Sequence, residues 1–251
     1  MSFIGKIAIV TGAGSKQGIG TETAIVLAEK GCKVIAADLN LEAAKNLAER
    51  IRESGGESAA MRLDVTNEES VRKMAEKTLE VYGRIDILVN NAGITQPVKT
   101  VDTTLEDFMN IINVNLVGTF LCSKVVVRQM IKQKYGRIVN LSSVSAKRGG
   151  GVYGGSHYSA AKAGILGFSK ALAREVIEDG ITVNCVCPGL IATLMMKGVS
   201  DEQKRAMWDA IPMKRAGTAR EVAEAIAFLA SDAAAYITGE EIDINGGTHM
   251  D

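Results

Sequence analysis

Lys6-Ile7-Ala8-Ile9-Val10-Thr11-Gly12-Ala13-Gly14-Ser15-Lys16-Gln17-Gly18-Ile19-Gly20 is the stretch whose reading decides the fold. A short β-branched run predicts a strand, the glycines a tight loop, and the apolar periodicity from Ile19 to Ala28 a helix. Glycines allow backbone to approach a pyrophosphate, and a helix N-terminus offers N–H groups and positive dipole to it. The strict G-x-G-x-x-G spacing is broken, because Gln17 stands where the third glycine would be. Taken alone, the loop reads equally well as an ordinary connection between strand and helix.

The same alternation continues along the chain. Lys33–Ala37 reads as a strand ending at Asp38, Leu41–Glu53 as a helix, and a further strand ends at Leu63-Asp64-Val65. Thr66-Asn67-Glu68-Glu69 reads as a capping box, and Ile85–Val89 runs as a strand into Asn90-Asn91-Ala92-Gly93. A helix is expected from Thr104–Asp107 to about Gln133, then a strand Arg137–Leu141 ending in Ser142-Ser143. The remaining expectations are a helix over Ser156–Val176, a strand Ile181–Cys187 broken by Pro188-Gly189, a helix Glu221–Leu229 and a strand Glu241–Ile244. Strands alternating with helices imply an α/β fold: one doubly wound parallel sheet of about seven strands with helices on both faces. In such sheets ligands bind beyond the carboxyl ends of the strands, which is where the glycine and polar clusters fall.

Composition narrows the classes of function. The 251 residues suit one large domain, with no linker to divide it. Lys plus Arg and Asp plus Glu are both 29, so no basic excess points to nucleic acid or an anionic membrane. Aromatics are 4%, too few for base-stacking platforms. The N-terminus lacks a signal-peptide core, and no uninterrupted apolar run approaches a bilayer span, so a soluble cytoplasmic protein is expected. Cys32, Cys122, Cys185 and Cys187 lack paired zinc spacing and read as core residues in a reducing compartment. No metal cluster is expected, His249 being the only histidine besides His157.

Two constellations carry chemistry. Tyr158 and Lys162 lie four residues apart on one expected helix face. A cation beside a phenol favours the phenolate, which suits general acid/base work. Asp38 closes the second strand 18 residues beyond Gly20, where a carboxylate accepts from an adenosine ribose 2′-hydroxyl and repels a 2′-phosphate. NAD is therefore the expected cofactor, with NADP left open by Lys16 in the glycine loop. His157 reads as a loop or pocket-wall residue, since successive helical residues do not share a face.

Together these motifs resemble the short-chain dehydrogenase/reductase family over essentially the whole chain. Thr11-Gly12 through Gly18-Ile19-Gly20 resembles its glycine motif, Asp64-Val65 its adenine-contact pair, and Asn90-Asn91-Ala92-Gly93 its sheet-stabilising motif. Asn115, Ser143, Tyr158 and Lys162 fall on its catalytic positions, and Pro188-Gly189 with Ile191 and Thr193 on its nicotinamide-holding segment. Ile237-Thr238-Gly239 and Gly246-Gly247 resemble its C-terminal signature. The resemblance implies cofactor contacts at Gly12, Ser15, Gln17, Gly18, Ile19, Asp38, Leu39, Asp64, Val65, Asn91, Ala92, Gly93, Tyr158, Lys162, Pro188, Gly189, Ile191 and Thr193. It also implies hydride transfer between a nicotinamide and a carbinol or carbonyl carbon, and a homo-oligomer, dimer or tetramer, built on the two long helices and the last strand.

Two departures stand out. Five residues separate Gly12 from Gly18 where the family usually has three, and the Ser143–Tyr158 loop is about two residues long. The second lets Ser145 compete with Ser143, although Ser143 directly ends the strand. Substrate choice is expected from a lid at about 190–215, with Met195, Met196, Met207, Trp208 and Met213, and the glycine-rich Arg148–Gly155 loop is expected to border the same pocket. The substrate expected is a small molecule: a secondary alcohol, sugar or polyol, or its ketone. The alternatives are reduction of a 3-oxoacyl thioester and, in a different class, a nucleotide sensor with a dead site.

Overall fold

The computed structural model describes residues 2–150, 154–193 and 200–251. In chain order it begins β1 (Ile7–Thr11), α1 (Ile19–Glu29), β2 (Lys33–Asp38), α2 (Leu41–Glu53), β3 (Glu57–Arg62), α3 (Glu68–Tyr82) and β4 (Ile87–Asn90). It continues with α4 (Leu105–Ile112), α5 (Gly118–Gln133), β5 (Gly136–Leu141), α6 (Val144–Arg148), α7 (Ser156–Val176) and β6 (Ile181–Pro188). It ends with β7 (Ile191–Ala192), α8 (Asp201–Asp209), β8 (Gly217–Thr218), α9 (Ala219–Leu229) and β9 (Glu241–Ile244). Seven strands form one sheet in the order β3-β2-β1-β4-β5-β6-β9, every neighbour parallel, as the alternation predicts. The order reverses between β1 and β4, so the crevice at that switch point lies between the glycine loop and Asn90–Gly93.

Side-chain alternation divides the core. Ala8 and Val10 of β1, with Val34 and Ala36 of β2, pack beneath α1, α2 and α9. Ile9, Ile35, Leu88 and Ile138 face the other way, beneath α3, α5 and α7. All five residues of β1 are buried, as expected of a strand covered on both faces.

A buried polar chain crosses the second layer. Asn90 Nδ2 donates to Ser123 Oγ of α5 at 2.9 Å and to Asn140 Oδ1 of β5 at 2.8 Å. Asn140 Nδ2 donates in turn to Ser169 Oγ of α7 at 2.8 Å. Asn140 is fully buried, so Asn140→Ala leaves polar partners without water or protein to bond. The expected cost is about 2–3 kcal/mol, read as a thermal midpoint lowered by roughly 5–10 °C. A midpoint within a degree of the parent would contradict it.

The helix expected from Thr104 to about Gln133 is α4 and α5 joined by a π-helical turn at Asn113–Val117. Contrary to the expectation of no membrane-length run, Leu105–Gln133 is long and apolar enough to cross a bilayer by length and composition. The polar residues interrupting it include the uncharged Asn110, Asn113, Asn115, Thr119 and Ser123. Half of its most apolar window is buried inside the molecule, where α5 covers the sheet. The capping box at Thr66 is also corrected: Asn67 is the cap of α3, its side chain accepting from Ser70 N.

Candidate active site

β1 ends in the glycine loop. Gly12 has φ +66°, and a Cβ there would lie 2.7 Å from Ala92 Cα, so only glycine lets the loop pass the β4 turn this closely. Asn91 ties the two together, its Nδ2 donating to Thr11 O and Gly12 O at 2.9 Å each. Thr21 of α1 donates to Ala13 O at 2.9 Å and to Ser15 O, which folds the longer loop back on the helix. Ser15, Lys16 and Gln17 are exposed, with Gly18 and Ile19 half-buried at the helix entrance. Asp38, at the end of β2, accepts from Gly14 N at 2.7 Å and Asn40 N at 2.9 Å. Leu39 beside it is exposed. Asp64 accepts from Thr66, while Val65 is buried against Gly118. Glycine backbone, a helix entrance, a strand-end carboxylate and an exposed apolar side chain in one line fit a dinucleotide.

The structure brings Ser143 and Tyr158 together on the wall of a cavity of about 540 Å³. Pro188, Gly189, Ile191 and Thr193 border the same cavity. Ser143 caps α6, its Oγ accepting from Ser145 N at 3.1 Å, and it also bonds the Tyr158 hydroxyl. Ser145 lines the cavity too, but Ser143 is the one in contact with the phenol.

Lys162 sits on the Tyr158 side of α7, as the spacing predicts, with its ammonium over the phenol ring. Its Nζ lies 5.7 Å from the Tyr158 ring centre and donates to Leu141 O at 2.7 Å. Burial pushes the Tyr158 phenol up, and the Ser143 hydrogen bond offsets this in part. Burial also pulls the Lys162 ammonium down to about 8.

Asn115 sits in the π turn, fully buried, its Nδ2 donating to Ile94 O and Ile111 O at 2.9 Å each. The Ile111 bond supplies a side-chain donor to a helix carbonyl at the turn, a structural role beside any catalytic one. Its Oδ1 has no hydrogen-bond partner among the described residues. A Cβ on Gly93 would lie 2.6 Å from that oxygen and 3.5 Å from Lys162 Nζ, so glycine opens the space both groups border.

Other expectations need correction. His157 is fully buried in the first turn of α7, off the cavity, with Nε2 3.3 Å from Gln96 Oε1. Of the lid residues, Met207 lines the cavity, Trp208 does not, and Met213 is exposed over a neighbouring depression. Met195 and Met196 lie outside the described residues. Folding brings Asp243, His249 and Asp251 together, their ligand atoms within 4.8 Å of one another, which sequence spacing could not reveal. The Lys147 ammonium already bonds both carboxylates. Arg148, Gly150 and Gly154 line the cavity, as expected of the Arg148–Gly155 loop, whereas sequence reading missed Thr95 and Thr248. Only Thr95 carried a signal, two residues beyond Gly93 at a strand end.

Comparison with known proteins agrees with this geometry. The family model described as Enoyl-(Acyl carrier protein) reductase matches residues 12–249. An uncharacterized short-chain type dehydrogenase/reductase of Sinorhizobium fredii is 46% identical over 249 residues, 98% of each chain. A 3-oxoacyl-[acyl-carrier-protein] reductase of Escherichia coli is 45% identical over 250 residues, 100% of each chain. One of Synechocystis is 44% identical over 248 residues, 98% of this chain and 97% of its own. The chain belongs to the short-chain dehydrogenase/reductase family. It is an oxidoreductase that uses a nicotinamide cofactor.

Proposed function

We propose that the protein reduces a 3-oxoacyl thioester to the 3-hydroxyacyl thioester with NADH, acting as a single dinucleotide-binding and catalytic domain. The observation that carries this is the meeting of Ser143 and Tyr158 on a cavity with apolar walls, including Leu190, Met207 and Ile211. Full-length similarity to proteins named 3-oxoacyl-[acyl-carrier-protein] reductase supports the same substrate class. The nicotinamide supplies the hydride. Tyr158, kept protonated by burial, donates its proton to the carbonyl oxygen. Ser143 Oγ donates a hydrogen bond to the charge developing there. Lys162 supplies positive charge behind the phenol, and the Asn115 carbonyl oxygen helps to hold the proton path at Gly93. Asp38 supports NAD(H), because its carboxylate already accepts from the glycine loop and disfavours a 2′-phosphate.

Loss of NADH absorbance on adding acetoacetyl-CoA tests the proposal. Brisk turnover is expected; none, with NADH still bound, would overturn it. A second reading, NAD-linked oxidation of a secondary alcohol, sugar or polyol, is favoured by Asp38 and would then be tested with an alcohol panel.

The pH profile tests the part given to Lys162. Burial disfavours its charged form, so the ammonium is present below about pH 8 and lost above it. For reduction, kcat/KM is expected to be level below pH 8 and to fall towards tenfold per unit above it. A level profile to pH 10 would remove Lys162 from the scheme.

We further propose a cytoplasmic homo-oligomer. Leu105, Phe108, Met109, Phe120 and Ile131 of α4 and α5 are exposed apolar residues suited to a two-fold interface. The four cysteines are free and buried, which suits a reducing compartment.

A further inference from the structure

We propose that Arg148 binds an anionic group on the substrate, a carboxylate, sulfonate or phosphate, inside the cavity that holds Ser143 and Tyr158. This rests on the reading of Ser143 and Tyr158 as the ketone-reducing pair, and it names the substrate's charge. Arg148 is the last residue of α6 and lines the cavity. Gly149 and Gly150 follow with φ +70° and +64°, so the chain turns away at once.

The guanidinium is underused. Its one hydrogen bond among the described residues is a long 3.4 Å contact from Nη1 to Thr248 O. It has no carboxylate partner among them, whereas Arg72, Arg215 and Arg220 are all ion-paired. The nearby acids are committed to Lys147, which bonds Asp243 at 3.2 Å and Asp251, and lies 3.8 Å from Glu241. Arginine's planar fork of five donors matches carboxylate, sulfonate and phosphate oxygens. Arg148 is exposed to solvent, and the apolar Leu141 and Ile191 line the same cavity.

Position along α6 sets the reach. Ser143 caps the helix that Arg148 ends, and at about 1.5 Å of rise per residue the two lie roughly 7–8 Å apart along its axis. The anion therefore belongs a few bonds from the reacting carbonyl. A short oxo acid would place it there directly; a carrier thioester bears its phosphates at the far end of the pantetheine arm and would bring them to Arg148 only with that arm folded back.

The test compares charged and uncharged substrates of matched shape. Wild-type and Arg148→Gln proteins are assayed with NADH against 3-oxobutanoate, 4-oxopentanoate and 5-oxohexanoate, each beside its methyl ester. Acetoacetyl-CoA is run beside acetoacetyl-N-acetylcysteamine. Wild type is expected to prefer the charged member of at least one pair by roughly 10- to 100-fold in kcat/KM, the range for a charge-assisted hydrogen bond, and Arg148→Gln to bring that ratio near unity. Collapse in the oxo-acid pairs assigns the anion to the acyl chain; collapse only in the thioester pair assigns it to the carrier. Ratios equal in both proteins overturn the inference. Titration calorimetry of the same compounds into the NADH complex gives the ratio as dissociation constants where no turnover is seen. Arg148-dependent binding of oxo acids without acetoacetyl-CoA turnover would sink the thioester reading alone. Brisk thioester reduction with unchanged ratios would sink this inference alone.

Discussion

Tyr158→Phe is expected to lower kcat for acetoacetyl-CoA reduction by roughly 10³-fold, within the range for removing a positioned general acid. The substitution deletes one hydroxyl and keeps the ring, so packing at the start of α7 is conserved. Ser143 Oγ loses its phenol partner but still accepts from Ser145 N, and the fold should lose no more than about 1 kcal/mol. NADH affinity should change little, because the glycine loop, Asp38 and Asn91 hold their geometry without Tyr158. A variant with full NADH binding and full turnover would remove Tyr158 from the chemistry. Loss of turnover with binding retained would also dispose of the alternative of a nucleotide sensor with a dead site, since the parent would be active.

Asp38→Asn is expected to give the second large effect, on the choice of cofactor. Asn retains an oxygen that can accept from Gly14 N, so the loop keeps its anchor, while the negative charge is removed. Two unit charges about 4 Å apart near a protein surface interact by about 4 kcal/mol before screening. After screening, roughly 2–3 kcal/mol of selection against a 2′-phosphate is a reasonable share. The ratio of kcat/KM for NADH over NADPH should therefore fall by roughly 30- to 150-fold. The exposed Lys16 is free to help the NADPH arm of that change. Parallel assays with both cofactors read the result, and an unchanged ratio would leave Asp38 as a loop anchor only.

The sheet was legible because buried parallel strands are written as apolar runs and each helix carries a local stop or start. α2 and α7 fall on the bounds read from sequence, Leu41–Glu53 and Ser156–Val176. Asn40, which caps α2 through Ala43 N, is a signal contained within four residues. What could not be read depends on partners far along the chain. The π turn at Asn113–Val117 accompanies a bond from Asn115 to Ile94 O, 21 residues away. α6 was hidden because a five-residue helix has too few turns to show periodicity. The Tyr158–Lys162 spacing correctly placed both groups on one helix, yet spacing carries no depth. The ammonium is buried over the phenol ring and donates to the Leu141 carbonyl, 21 residues away. The same limit separated His157 from the wall it was expected to line.

Hydride is expected to pass from NADH to the 3-oxo carbon of a thioester beside Tyr158. The most direct measurement supplies NADH deuterated at the transferable position with acetoacetyl-CoA and examines the product by mass spectrometry. One deuterium at C3 of 3-hydroxybutyryl-CoA is expected with the wild-type protein, and product formation reduced roughly 10³-fold with Tyr158→Phe. Product without deuterium, or no product from a protein that still binds NADH, would contradict it.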